Sequence, residues 1–537
     1  MKKIFLITTI AVLAGASSCT KKQFSDAYAN PQTVNQTTIE KQFSGFLAAN
    51  LDYVMYRYWN YFVILQNTAL PWSQATGILN NPGRYVPGAA AVTDRWKNFY
   101  SFLAQYKEFL NLYSKQTDEE KADKRLYYIA ATIYFYDHTE KVVDLHGNIP
   151  WSEAGLLSTN GGDYSGSYAK YDDAATIYTT MLDNLKGFAD ELNSINVSAT
   201  VAAGIKTQDF INHGDVTLWK KYCNSLRLRM LTRVSGVSSF QSRVSSEIAS
   251  ITGNPSTYPV VSSNDDNIAI EVYNSATSIN DGSTSGAGSG ASFYQGLIGW
   301  GSADIPSKPL IDLMITNNDP RLRAMFQPGE NAAGVYAGLD PAQDATTQNA
   351  LANGGTLSRY NFSTISRNTN VPGMLINAAE VSFLLAEYYL GAGNDAAAKT
   401  AYETGINQSI DYYYYLRTLS DDNTQGTLTP TTQTEKDAYI ASSAISWDAA
   451  ADNAAKLNLI ATQKWTNYSV LQPIESWTEI RRLKLPALTF VPDNTNAQTL
   501  PPSRWVYPSD EATYNTENYQ AVKANDNFKA KIFWDVK

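Results

Sequence analysis

Ala386-Glu-Tyr-Tyr389-Leu-Gly-Ala-Gly393-Asn-Asp-Ala-Ala-Ala398-Lys-Thr-Ala-Tyr402-Glu-Thr-Gly405 is the stretch that decides the fold. Small residues at 386, 393, 398 and 405 alternate with large rings at 389 and 402, the spacing of a tetratricopeptide repeat. In such a unit two antiparallel helices approach where side chains are small, and the tyrosines fill the space between them. Ala174 and Tyr178 repeat the second-helix half of the pattern. A plain helical hairpin is the alternative reading of the same spacing.

Outward from this stretch, apolar residues recur at helical rather than alternating intervals. Leu126, Ile129, Ala130, Ile133 and Tyr134 share one face, and Asp118, Glu119 and Glu120 sit near the start of that helix. The pattern predicts helices over about 40–69, 93–115, 118–145, 171–193, 215–235, 374–391, 395–413 and 447–467. Three loop-forming stretches, Ser158 to Ser167, Ser275 to Ser292 and Thr418 to Thr434, interrupt them. Strand signal is sparse, with Ile268 to Tyr273 the best short candidate. The expected fold is mostly α: a degenerate tetratricopeptide-repeat scaffold with long irregular loops.

The N-terminus carries export information. Lys2 and Lys3 precede the apolar run Ile4 to Leu13 and the small residues Ala14 to Ser18, and Cys19 follows directly. A run of roughly ten residues is too short to span a bilayer, which takes about 20 apolar residues. This is a signal segment. A lipoprotein peptidase would cut before Cys19 and leave its thiol carrying acyl chains; cleavage after Ala14-Gly-Ala16 is the alternative. On the lipoprotein reading residues 1–18 would be the signal peptide and 19–38 a lipidated polar tether, with 39–537 as the expected folded part. The second cysteine, Cys223, lies in a helical stretch and is expected as a small buried hydrophobe rather than a disulfide partner.

The 537 residues carry a formal charge of −9, and loss of the signal removes two lysines. An acidic exported chain lacks the basic footprint of a nucleic-acid binder. Charged residues make up 17%, against 35 Tyr and 11 Trp. Aromatic rings pack cores, but they also stack on the C–H faces of sugars.

Catalytic and metal patterns are missing. Ser289 has Ala287 and Ala291 where a nucleophile elbow needs glycines. His138, Glu140 and His146 lack the i, i+4 spacing of a helical zinc site, and His138 is expected on a helix surface. Asp265, Asp266, Asn267 and Glu271 offer oxygens without the glycine-centred spacing of a calcium loop, and read as a solvated turn. No metal, cofactor or catalytic residue is assigned.

Several segments in order resemble the SusD/RagB family, its SusD-like branch in particular. Phe24-Ser-Asp-Ala-Tyr-Ala-Asn-Pro31 is similar to the family's tether. Asp144-Leu-His-Gly-Asn-Ile-Pro-Trp-Ser-Glu-Ala154 is similar to its D-x-x-G-D-I-P-Y-S-E-A segment, with Asn148 and Trp151 as departures. Trp219-Lys-Lys-Tyr-Cys-Asn-Ser-Leu-Arg-Leu-Arg229 matches W-x-K-F-A-N-S-L-K-L-R. Asn318-Asp-Pro-Arg-Leu322, Ala379-Glu-Val-Ser-Phe-Leu-Leu-Ala-Glu387, Gln463-Lys-Trp465, Trp477-x-Glu-x-Arg-Arg482 and Arg504-Trp-Val-Tyr-Pro-Ser-Asp-Glu511 follow.

The resemblance implies a helical domain with four degenerate repeats and a ligand held on irregular loops. It further implies an outer-membrane, surface-exposed lipoprotein with palmitate-type acylation at Cys19. Such a protein hands an oligosaccharide, or in some members a peptide, to a SusC-like TonB-dependent transporter. A surface hydrolase and a purely protein-binding repeat scaffold are the competing readings. Asn224, Arg227, Arg229, Arg481 and Arg482 read as scaffold, and Gly147 and Pro150 as the turn ending the 118–145 helix. The expected ligand contacts are Trp72, Arg84 and Tyr85 in one loop and Tyr273, Phe293, Tyr294 and Trp300 around the Gly/Ser-rich insertion. Gln74, Asn80 and Asn81 would bond hydroxyls, and Trp72 and Trp300 are expected to stand exposed.

Overall fold

The structure, a computed structural model, describes residues 37–271, 293–298, 304–420 and 422–537. Its framework is helical: α1 (Ile39–Ala48), α2 (Ala89–Ser114), α3 (Arg125–His146), α4 (Ala174–Glu191), α5 (Val216–Arg233), α6 (Ala378–Gly391), α7 (Asp395–Thr418), α8 (Asn453–Tyr468) and α9 (Pro473–Leu483). Side-chain caps set many of the starts. Thr38, Asp173, Asp215, Asn377, Asn394 and Asp452 each accept a backbone N–H from the first turn they precede. Gly147, at φ 79°, ends α3 in a conformation that favours glycine. No helix among the described residues is long and apolar enough to cross a membrane.

α6 and α7 form the predicted hairpin. Ala386, Ala398 and Tyr402 are buried in it, and the Tyr402 hydroxyl donates to the Ile445 carbonyl at 2.8 Å. A Cβ at Gly405 would meet the Phe383 ring at 2.6 Å, so only glycine allows this approach. α3 and α4 pack together in the same way, with Ala174 and Tyr178 buried. Cys223 is buried and free, its thiol donating to the Leu185 carbonyl at 3.2 Å.

Three expected helices are interrupted, the 118–145 stretch at Lys124, which separates Asp118–Asp123 from α3, and two others more deeply. The 40–69 stretch divides into α1, a turn at Leu51–Val54 and a π-helix at Trp59–Leu65, with Met55 extended between them. Ile39 to Met55 belong to the core around α2–α5, whereas Tyr56 onward belong to a second core beneath the loops. One straight helix cannot serve both. Likewise α6 begins at Ala378 because Gly373–Ile376 is a strand, β6, paired antiparallel with β3 (Ile268–Ile270). The remaining strands, β1 (Ile149–Pro150) with β2 (Tyr171–Asp172) and β4 (Phe326–Gln327) with β5 (Arg359–Tyr360), are two-residue ties.

The signature motifs meet in a buried ionic network. Arg229 donates to Glu380 at 2.5 Å, Asp137 at 3.0 Å and the Leu375 carbonyl at 2.7 Å. Arg233 reaches Glu475 at 2.7 Å and Glu479 at 2.9 Å, and Arg482 and Lys464 both clamp Glu387 and Glu479. Buried charges survive only when paired this fully. Asn224 donates to the Lys220 and Pro259 carbonyls and accepts from Arg227, so these residues hold the scaffold.

His138 departs from expectation. It is buried between α2 and α3, edge-on to Phe102 and Tyr134, because helices α1 and α2 cover the face of α3 that the sequence left ambiguous.

Candidate functional site

A cleft of about 420 Å³ opens where the loop at 76–88 meets the helix Ala345–Asn353 and the segment around Ile305 and Leu339. Its walls are set by amides. Buried Gln348 donates to the Ile78 and Asp340 carbonyls at 3.0 and 2.9 Å and accepts the Asn80 N–H at 2.7 Å. The Asn80 side chain donates to the Pro341 and Gln343 carbonyls at 2.8 and 2.6 Å. Gly77 lets the two walls touch, since a Cβ there would lie 2.5 Å from that of Leu339.

Four asparagines face this cleft: Asn67, Asn81, Asn349 and Asn353, all exposed. Asn349 and Asn353, four residues apart, share one helix face. Neither they nor the Asn67 and Asn81 side chains have a hydrogen-bond partner among the described residues. Among the described residues Arg84 is the one ionisable side chain lining the cleft; its Nη atoms donate to the Asn81 carbonyl at 2.9 Å and to those of Val491 and Pro492 at 3.1 and 2.9 Å, while its Nε has no partner. The site therefore offers neutral amides with both donor and acceptor capacity beside a single guanidinium that is hydrogen-bonded to carbonyls.

The sequence-predicted residues divide between wall, foundation and undescribed segments. Arg84 lines the cleft. Trp72 is 0% exposed in the helix Ala69–Trp72, its indole N–H donating to the Arg84 carbonyl at 2.9 Å and its ring 5.3 Å from that of Trp477. The expected exposed tryptophan is thus a covered one, because Trp477 packs against it from far along the chain. Tyr85 is equally covered, its hydroxyl donating to Val491 O at 2.8 Å. Burial, eased by Arg84, raises its pKa. Gln74 is buried and donates to Thr489 O at 2.6 Å. Phe293 is buried, stacked on Tyr56 at 4.1 Å and edge-on to Tyr61 at 4.9 Å. Tyr294 is half-buried. Tyr273, Trp300 and Cys19 lie outside the described residues.

Residues overlooked in the sequence also stand out. Asn67, Asn349 and Asn353 carry no local signal, since isolated asparagines are common in loops and helix ends. Trp59 is 44% exposed on the π-helix, beside Tyr58 stacked on Phe62 at 5.0 Å. The dense aromatic run Tyr56-Arg-Tyr-Trp-Asn-Tyr-Phe62, which breaks the helical period, was the available clue. A larger hollow of about 780 Å³ lies beside α6 and the chain terminus, walled by Val244, Ile248, Leu457 and Val536. It contains none of the predicted contacts.

Residues 35–508 match the SusD-like family described as "starch-binding associating with outer membrane". Among solved structures the chain is similar to a SusD homolog of Bacteroides fragilis, at 18% identity and TM-score 0.73, covering 93% of this chain and 100% of that one. A candidate nutrient-binding outer-membrane protein of Bacteroides vulgatus gives 20% and 0.70, with 93% and 100% covered. A chitin-binding SusD homolog of Flavobacterium johnsoniae gives 20% and 0.65, with 92% and 99% covered. No curated protein matches. With the family pattern extending from before α1 to beyond α9, the chain belongs to the SusD-like family of outer-membrane nutrient-binding proteins.

Proposed function

We propose that this protein binds an uncharged oligosaccharide in the asparagine-lined cleft and passes it to a SusC-like TonB-dependent transporter, held at the outer-membrane surface by acyl chains on Cys19. The observation that carries the ligand class is the cleft itself: four uncommitted amides around a hollow whose one charged side chain, Arg84, is turned into hydrogen bonds with backbone carbonyls. An amide can donate to one hydroxyl and accept from its neighbour, which suits vicinal diols and acetamido groups. Trp72 and Tyr85 support this site from beneath, and Arg84 braces its rim. Tyr273, Tyr294 and Trp300 complete the ligand surface in this reading, while buried Phe293 packs beneath it against Tyr56 and Tyr61. The protein acts as a binder, not an enzyme. Chitin-binding relatives with this fold favour a glycan over a peptide.

The test is a glycan array and a peptide library, followed by calorimetry on the best ligand. Neutral glycans should bind, with affinity unchanged by salt. Each net hydrogen bond contributes about 0.5–1.5 kcal/mol, so the double substitution Asn349→Ala/Asn353→Ala should weaken binding roughly tenfold, with an unchanged melting curve. Binding of peptides alone, or full affinity in the double variant, would remove this reading.

A further inference from the structure

The loop that walls the asparagine cleft is secured differently along its length. At Asn80 it is locked to the helix Ala345–Asn353 through Gln348. Residues 81–88 contain no helix or strand, and Asn81, whose amide faces the cleft, is exposed. What holds this half is a second segment, 489–499, brought in from the far end of the chain.

The bonds between the two segments form a row. Gln74 and Tyr85 donate to the Thr489 and Val491 carbonyls at 2.6 and 2.8 Å. The Arg84 guanidinium bridges the gap, bonding the Asn81 carbonyl on one side and the Val491 and Pro492 carbonyls on the other. The Gly83 N–H ends the row on Asp493 Oδ2 at 2.6 Å. Asp493 is 2% exposed and is itself held firmly. Its carboxylate also accepts the Thr495 N–H at 3.1 Å, the Thr495 hydroxyl at 2.6 Å and the Asn496 amide at 3.1 Å, and its own N–H donates to the Thr499 carbonyl at 2.9 Å. Four donors on one side chain suit the ionised, acceptor-only form. The Thr495 hydroxyl above all holds that carboxyl well below the usual carboxylate range, with the Gly83 N–H adding to it against burial. A hydrogen bond onto an ionised acceptor is roughly twice as strong as a neutral one.

We propose that segment 489–499 is a clasp on the cleft wall and that Asp493 is a positioning residue for the neutral glycan: through Gly83 and the adjoining Arg84 bridge it sets where Asn81 stands. The positioning role rests on the reading of the cleft as the ligand site; the clasp itself does not. Neither Asp493 nor Thr495 lines the hollow, so an effect of either on binding has to travel through the wall.

Amide hydrogen exchange on the unliganded protein tests the clasp without any ligand. Asp493→Asn keeps the shape of the side chain but turns one acceptor into a donor. Amides 83–86 should then exchange at least about tenfold faster, the lower end of what a hydrogen bond to a charged group is worth. The amides of α6 and α7 and the melting temperature should stay as in the parent. Thr495→Val should loosen the same amides, and Thr495→Ser, which keeps the hydroxyl, should leave them at the parental rate. With chitotetraose as the probe glycan, Asp493→Asn should bind several-fold to about tenfold more weakly, and Thr495→Ser as the parent does. Unchanged exchange at 83–86 in Asp493→Asn, or faster exchange throughout the chain with a fallen melting temperature, would overturn the clasp. Parental affinity for chitotetraose beside a loosened wall would overturn the positioning role. A parent protein that binds no neutral glycan removes the ligand reading and the positioning role with it, while the exchange result still decides the clasp.

Discussion

Trp72 shows how far a single residue's role depends on distant chain. Its ring fills the second core and its N–H holds the Arg84 carbonyl. Removing a buried aromatic ring costs about 3–5 kcal/mol. Trp72→Ala should therefore lower the melting temperature sharply, and any loss of ligand binding should follow the loss of fold. A variant with native stability and no binding would restore Trp72 as a direct contact.

Glu140 is the odd acid of the buried network. Its two oxygens have no hydrogen-bond donor, and its nearest cations are Arg229 at 3.7 Å and Arg233 at 4.0 Å. Burial holds its pKa well above 4.5, with the arginines opposing and Glu475 adding to the rise. Asp137 moves the other way: burial is overcome by Lys141 and Arg229. For Glu140 the folded state holds the proton more tightly than the unfolded chain. Stability is then complete below about pH 4.5 and falls as pH rises above it. Gln mimics the protonated acid, so Glu140→Gln should be more stable than the parent at pH 7 by at least about 1 kcal/mol. The gap should close toward pH 4, and urea unfolding at the two pH values checks it. A less stable variant at pH 7 would mean that the carboxylate is ionised and paired.

At the level of elements, the α6–α7 hairpin depends on close approach. Gly405→Ala places a methyl group within 2.6–2.9 Å of three Phe383 ring atoms. Overpacking of this kind costs about 1–3 kcal/mol. Gly187, exposed on α4 with nothing within 4 Å of a built Cβ, is the control. There alanine should stabilise by about 0.5–1 kcal/mol through helix propensity alone. Opposite shifts in the two thermal melts are expected. A neutral Gly405→Ala would show that the helix pair has room to part.

For the molecule as a whole, acylation of Cys19 is the proposed attachment to the membrane. Stable anchoring takes more than one acyl chain. Cys19→Ala should move the protein from the membrane fraction to the soluble one, or leave it as uncleaved precursor. A mature, membrane-bound variant would point to attachment through a protein partner instead.

Much of the scaffold was legible in the chain because its causes are local. Helical spacing, capping Asp and Asn residues, and the small–large alternation of 386–405 act within a few residues of one another. The motif arginines announced a scaffold role through their place on helices beside Trp219 and Trp477. The site was less legible. Asn67, Asn81, Asn349 and Asn353 come together only because Gln348 and Asn80 lock two loops some 270 residues apart. Exposure of Trp72 and His138 depended on what covers them, and that cover comes from Trp477 in one case and from Phe102 on α2 in the other. Local sequence determined which residues coil into helices, while tertiary packing alone decided which faces meet water, because burial is a property of neighbours that the chain brings in from afar.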